Sequence, residues 1–67
     1  MATERRYRNH RGQVLVVLAA PISGYMTWVE HPDHYDGYGF HTPTREAAQQ
    51  LLDQAAKEHG WGAVDDV

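Results

Sequence analysis

Apolar and polar positions along the chain predict three strands followed by one helix. Residues 13–20, QVLVVLAA, are rich in β-branched residues and nearly apolar throughout, which is typical of a strand buried on both faces. The turn sequence PISG separates them from GYMTWVEH, residues 24–31, so the two strands form an antiparallel hairpin because the connection is too short for a parallel crossover. After a loop of turn-forming residues, YGFH at 38–41 predicts a short third strand, which its glycines weaken.

The clearest periodicity is helical and follows the third strand. Thr42 is a suitable N-cap, Pro43 suits the first helical position, and Glu46 places negative charge near the helix N-terminus. Gly60 is placed to end the helix in a left-handed conformation, with Trp61 packing back on the last turn. The apolar stripe of this helix comprises Ala47, Ala48, Leu51, Leu52, Ala55, Ala56 and His59.

These elements predict an α+β fold, in which one amphipathic helix packs on one face of a three-stranded antiparallel sheet in the order β-β-β-α. We expect a flexible basic arm over residues 1–12, a single domain over 13–61 and an acidic tail over 62–67. One helix covers only one face of a sheet, so the other face should expose several of Leu15, Val17, Tyr25, Met26, Trp28 and Tyr38. Contiguous apolar patches usually mark interfaces, which predicts a homodimer or a dedicated protein partner. The alternative is that the arm or the tail closes over this face.

The composition restricts what can stabilise the fold. A domain of 67 residues has a core that supplies only about 3–5 kcal/mol of net stability. The chain has no cysteine, which excludes disulfides and cysteine-ligated zinc and suits a cytoplasmic location. Its longest apolar run, residues 14–20, is far shorter than the ~20 residues of a membrane span, so no membrane partner is expected.

The net charge of −3 conceals an asymmetry. Residues 1–11 carry four arginines against one glutamate, a local +3, whereas residues 12–67 carry two basic residues against eight acidic ones, a local −6. An acidic body argues against a broad DNA-binding face, because neutralising phosphates requires clustered basic residues. The alternative function as a nucleic-acid-binding accessory protein therefore depends on the arm, through Arg5, Arg6, Arg8 and Arg11.

The stretch HPDHYDGYGFH, residues 31–41, concentrates three histidines and two aspartates. His31, His34 and His41 are candidate metal ligands, and zinc requires three or four ligands at about 2.0–2.2 Å. Pro32 biases His31 toward an extended conformation, so the first two histidines should diverge. No HExxH pattern is present. We interpret the stretch as a polar loop, with a histidine-loop metal site as the alternative.

Enzymatic activity has no support in the sequence. Ser23, the only serine, lies in a predicted turn, and no glycine-rich phosphate loop precedes the helix. A chain of this length also has little room for a deep pocket. We therefore predict no catalytic residues and no cofactor.

Aromatic residues on the predicted sheet are the candidates for binding a partner. Aromatics on an open sheet can stack nucleic-acid bases, but here their neighbours are acidic, which favours a protein contact. The predicted contact residues are Tyr25, Trp28 and Tyr38, with Glu30, Asp33 and Asp36 setting the charge of the rim.

The stretch SGYMTWVEHPDHYDGYGFHTPTREAAQQLLDQAAKE resembles the β-β-β-α core of HicB-like antitoxin domains. The matching features are Gly24-Tyr25, Pro32, Gly39, Thr42 or Thr44, and Glu46-Ala47. The same region is similar to the AP2-type arm-binding domains of phage integrases, at Trp28, Phe40, Thr42 and Ala47. The resemblance implies the topology and a tendency to dimerise or to bind a partner.

The sequence thus predicts a small cytoplasmic, non-enzymatic protein that acts by protein–protein recognition. Its expected role is an inhibitor or regulator from a phage or another mobile element, either antitoxin-like or directed against host defence.

Overall fold

The computed structural model describes residues 4–64, which form one five-stranded antiparallel sheet and one helix. The elements in chain order are β1 (Arg6–Arg8), β2 (Val14–Ala19), β3 (Tyr25–Glu30), β4 (Tyr35–Thr42), α1 (Arg45–His59) and β5 (Gly62–Val64). The strands lie side by side in the order β4-β3-β2-β1-β5. Residues 1–3 of the predicted arm and 65–67 of the predicted tail lie outside the described residues.

The α+β class, the antiparallel sheet and the single helix are confirmed, but the prediction of three strands is wrong. The two additional strands come from segments that the sequence pattern assigned to the basic arm and the acidic tail. Tyr7 of β1 pairs with Leu15 of β2 on one side and with Ala63 of β5 on the other. The middle of the predicted arm is therefore an internal strand of the sheet.

The helix begins two residues later than predicted. Its N-cap is Thr44, whose hydroxyl oxygen accepts a hydrogen bond from the Ala47 N–H at 3.2 Å. Thr42, the predicted cap, is the last residue of β4 and pairs with Tyr25 of β3. Its hydroxyl donates to the Thr44 carbonyl at 2.6 Å. Thr42 cannot cap the helix because the sheet fixes its backbone.

The C-terminal end of the helix follows the prediction. Gly60 adopts a left-handed conformation with φ of 72°, and its N–H donates to the Ala56 carbonyl. The Trp61 N–H also donates to that carbonyl, at 2.8 Å, and the indole packs against the core.

The core lies between α1 and the face of the sheet that the helix covers. It consists of Leu15, Val17, Val29, Ala48 and Leu52, with Tyr7, Tyr25 and Trp61 packed around it. Each fully buried aliphatic side chain of this kind contributes about 1.5–3 kcal/mol to folding. Leu15 and Val17 were candidates for the uncovered face. That assignment is wrong, because alternation along a strand defines two faces without saying which one the helix covers.

Candidate functional site

The candidate interaction surface is the face of the sheet opposite α1, which we call the open face. The strand register places the following side chains there: Arg6, Arg8, Val14, Val16, Leu18, Met26, Trp28, Glu30, Tyr35 and Val64. The only helix within residues 4–64 packs on the other side, and both terminal strands extend the sheet sideways. No helix of the described chain therefore covers the open face, and the described parts of the arm and tail do not close it.

The centre of the open face is apolar. Its apolar patch comprises Val14, Val16, Leu18, Met26 and Trp28, all on β2 and β3. Val16 is only 6% exposed because its neighbours shield it, whereas the other four are partly exposed. The Trp28 indole N–H donates to the Leu18 carbonyl at 3.3 Å, which holds the ring against β2.

An ion pair crosses the open face beside the apolar patch. Arg6 Nη1 of β1 lies 2.6 Å from Glu30 Oε1 of β3, so the pair spans the intervening strand β2. The two side chains are 23% and 32% exposed. The opposite charges of Arg6 and Glu30 cancel. Within the described residues, the other charged side chain on the open face is Arg8, so the net formal charge of this surface is small.

The predicted contact residues divide between the two sides of the sheet. Trp28 and Glu30 lie on the open face. Tyr25 packs against the core, and the Arg45 guanidinium lies 4.9 Å from its ring centroid. Tyr38 meets Trp61 edge to face, with ring centroids 6.4 Å apart, which places it on the helix side.

Sequence reasoning missed several residues of the open face. Val16 and Leu18 belong to it, as does Tyr35, which is 47% exposed. The signal for Val16 and Leu18 was the alternation along β2. Tyr35 gave no such signal, because it was assigned to a loop and is in fact the first residue of β4.

The predicted histidine loop is a tight hairpin turn between β3 and β4. The His31 N–H donates to the His34 carbonyl at 2.9 Å. Their imidazole rings stack, with centroids 4.3 Å apart and planes 8° from parallel. The prediction that these histidines diverge is wrong, because residues that flank a two-residue turn face each other across the hairpin. His41 lies elsewhere and hydrogen-bonds through Nε2 to the Ser23 carbonyl at 2.9 Å.

The two predicted rim aspartates contact these histidines. His31 Nε2 lies 2.9 Å from Asp36 Oδ2, and His34 Nδ1 lies 2.7 Å from Asp33 Oδ1. His34 Nε2 lies 3.7 Å from the same Asp36 oxygen. Of the three predicted metal ligands, the structure brings His31 and His34 together and leaves His41 apart. It adds the carboxylate of Asp36, which was not predicted as a ligand.

Two of the four arginines proposed for nucleic-acid binding have acidic partners within the chain. Arg5 forms an ion pair with Asp53 of α1, and Arg6 forms the pair with Glu30. Arg8 Nη1 donates to the Gly12 carbonyl at 3.3 Å, and Arg11 is exposed. These pairs reduce the positive charge that the arm presents to phosphates.

The comparisons with known proteins give no relatives for this chain. Neither a protein-family model, nor a curated protein, nor a solved structure matches it. The resemblance to HicB-like and AP2-type domains therefore stays a prediction. Within residues 4–64, no helix has the length and apolar character needed to span a membrane.

Proposed function

We propose that the chain is a small non-enzymatic binding protein that acts by protein–protein recognition through its open face. The first protein bound there is a second copy of the same chain. One observation carries this proposal: Val14, Val16, Leu18, Met26 and Trp28 form a contiguous apolar patch on a face that no described helix covers.

The charge of the open face suits a second copy. The ion pair between Arg6 and Glu30 is internally neutral, so two open faces can meet without opposing like charges at their centres. Homodimer interfaces are also the most apolar class of protein interface, and they deplete charge at the centre. A strongly charged partner would find little to pair with on this surface.

The size of the open face is sufficient for a modest interface. The five strands have three, six, six, eight and three residues, from β1 to β5 in chain order. At about 3.3 Å per residue and about 4.8 Å between strands, they give a face of roughly 400 Å². Two such faces bury about 800 Å² in total, which is typical of a weak interface. We therefore expect a dimer that dissociates in the micromolar range, with the sheets stacked about 10 Å apart.

A dimer of this kind keeps its outer surfaces free. The helices and the β3–β4 hairpins of both copies remain accessible to a further protein. The inhibitor or regulator role suggested by the antitoxin-like resemblance would use these outer surfaces.

The test is the molar mass in solution by light scattering, over a range of chain concentrations around the micromolar. The unmodified protein should approach twice its chain mass of 7.6 kDa. Trp28→Glu and Met26→Glu, both on the apolar patch, should remain monomeric at every concentration.

Leu51→Glu is the matched control, because Leu51 lies on α1 and is already 40% exposed. It should dimerise as the unmodified protein does. Circular dichroism identifies a variant that fails to fold. If one of the two patch variants does not fold, the molar mass of the other one tests the proposal. A monomeric unmodified protein, or patch variants that dimerise normally, would contradict the proposal.

A further inference from the structure

The β3–β4 hairpin brings together the side chains of His31, His34 and Asp36. One ligand atom from each of the three lies within 4.8 Å of the other two. The hairpin turn holds this arrangement, since the His31 N–H is bonded to the His34 carbonyl at 2.9 Å. The three candidate ligands therefore come from one short segment whose backbone is already closed.

The separations between these atoms are close to those that one metal ion requires. Metal–nitrogen and metal–oxygen distances of about 2.0–2.2 Å at tetrahedral angles place neighbouring ligand atoms roughly 3.3–3.6 Å apart. Asp36 Oδ2 lies 2.9 Å from His31 Nε2 and 3.7 Å from His34 Nε2. To bind one ion together, both rings have to rotate out of their stacked arrangement, and His31 Nε2 has to exchange its hydrogen bond to Asp36 for the metal. The His31, His34 and Asp36 side chains are 35%, 54% and 62% exposed, which leaves solvent-facing space for this rotation.

Asp33 supplies a second, independent feature of a metal site. Its Oδ1 lies 2.7 Å from His34 Nδ1. When Nδ1 carries the proton and donates it to this carboxylate, the lone pair of His34 is on Nε2, the nitrogen that faces Asp36. A carboxylate that orients a ligating histidine in this way is a regular feature of protein metal sites.

We propose that His31, His34 and Asp36 bind one divalent transition-metal ion, with water completing its coordination. Two imidazoles and one carboxylate select ions of the zinc, nickel and copper group over calcium and magnesium, which prefer oxygen ligands. His41 is not a ligand of this site, because its ring is hydrogen-bonded to the Ser23 carbonyl on another loop. The site does not depend on dimerisation.

Calorimetric titration with Zn²⁺ tests the site directly. The unmodified protein should bind one ion per chain. His31→Gln, His34→Gln and Asp36→Asn should each weaken binding at least tenfold. Asp33→Asn should weaken it by about tenfold, the effect of losing an orienting partner. The matched control is His41→Gln, which should bind as the unmodified protein does.

The ring nitrogens of all five histidines provide the structural readout. In long-range ¹H–¹⁵N spectra, Zn²⁺ should shift the resonances of His31 and His34 and leave those of His10, His41 and His59 unchanged. If His34→Gln binds Zn²⁺ as tightly as the unmodified protein, or if His41→Gln weakens binding equally, the ion binds adventitiously and the proposal is wrong. Shifts spread over all five histidines would also overturn it.

Discussion

The hydroxyl of Tyr7 in β1 donates a hydrogen bond to Asp53 Oδ1 in α1, across 2.7 Å. Asp53 also accepts hydrogen bonds from the Arg5 guanidinium and, at 3.0 Å, from the Gln49 side chain. Gln49 in turn donates to the Arg5 carbonyl at 3.1 Å. These hydrogen bonds connect β1 and the residue before it to α1. They help to hold β1 in place, although Tyr7 is its only apolar residue.

The network makes stability depend on pH in the acidic range. The hydrogen bond from Arg5 is the main cause of the lowered pKa of Asp53, and it outweighs burial, which acts in the opposite direction. A lowered folded-state pKa contributes stability that is present above the unfolded pKa near 3.8 and is lost as pH falls through the folded value. The difference in unfolding free energy between the unmodified protein and Asp53→Asn should therefore be constant above about pH 5 and shrink below about pH 4.

Urea unfolding at fixed chain concentration from pH 2 to 8 measures this difference. Glu58→Gln, which also removes one carboxylate from α1 but at an exposed position, is the control for the loss of a negative charge. Tyr7→Phe should cost about 1.5–3 kcal/mol at neutral pH, because it removes one hydrogen bond to a charged group. If the difference in unfolding free energy between the unmodified protein and Asp53→Asn stayed constant down to pH 2, the claim that the pKa of Asp53 is lowered in the folded protein would be wrong.

A second prediction concerns the close approach of β4 to the turn before β3. Gly24 has a φ of +74°, and a Cβ atom there would overlap the Thr42 carbonyl oxygen. Gly12 has a similar φ of +81°, but a Cβ atom there would meet nothing within 4 Å. Gly12→Ala should cost about 1 kcal/mol, the penalty of the left-handed conformation. Gly24→Ala should cost about 2–4 kcal/mol, because overlap adds to that penalty.

Thermal and urea unfolding of the two alanine variants measure both costs. Equal costs for the two variants would show that the approach of β4 is not as tight as the structure indicates.

A third prediction concerns a polar atom in the centre of the core. Thr27 is fully buried, and its hydroxyl has no hydrogen-bond partner within the described chain. A buried hydroxyl without a partner costs about 1–3 kcal/mol. Thr27→Val has nearly the same shape and removes that cost, so it should stabilise the protein by about 1 kcal/mol. Thr27→Ser retains the hydroxyl, loses a methyl group and should destabilise it. A destabilised valine variant would show that the hydroxyl is satisfied in solution.

The strands and the helix that the sequence predicted are those with strong local signals. β2 has six residues of strand type, and α1 has a glycine at its C-terminal end and an apolar stripe of which Ala48, Leu52, Ala55 and Ala56 are buried. Two predicted members of the stripe, Leu51 and His59, are exposed. β1 and β5 have only three residues each, too few for an alternating pattern. β1 pairs with β2 across a short turn, whereas β5 pairs with β1 from the other end of the chain. The hydrogen bond from Tyr7 to Asp53 connects β1 to a helix that is distant in sequence.

The candidate site was predicted in part for the same reason. Alternation along β3 places Trp28 and Glu30 on one face and Tyr25 on the other, whereas the predicted contact residues combined all three. Which face the helix would cover depends on packing between distant segments. At the β3–β4 hairpin, the preference of a residue before proline for an extended backbone predicted that His31 and His34 diverge. The closed turn instead brings their rings together. Thr42 and Thr44 both suit a cap, and only the strand pairing of Thr42 distinguishes them.

The central claim is that a second copy covers the open face, and isotope-filtered nuclear Overhauser spectroscopy tests it most directly. A mixture of labelled and unlabelled chains is measured at a concentration at which the protein is dimeric. The claim predicts intermolecular contacts between the Trp28 indole of one copy and the methyl groups of Val16 and Leu18 of the other. Intermolecular contacts confined to the helix or to β4, or none at all, would contradict it.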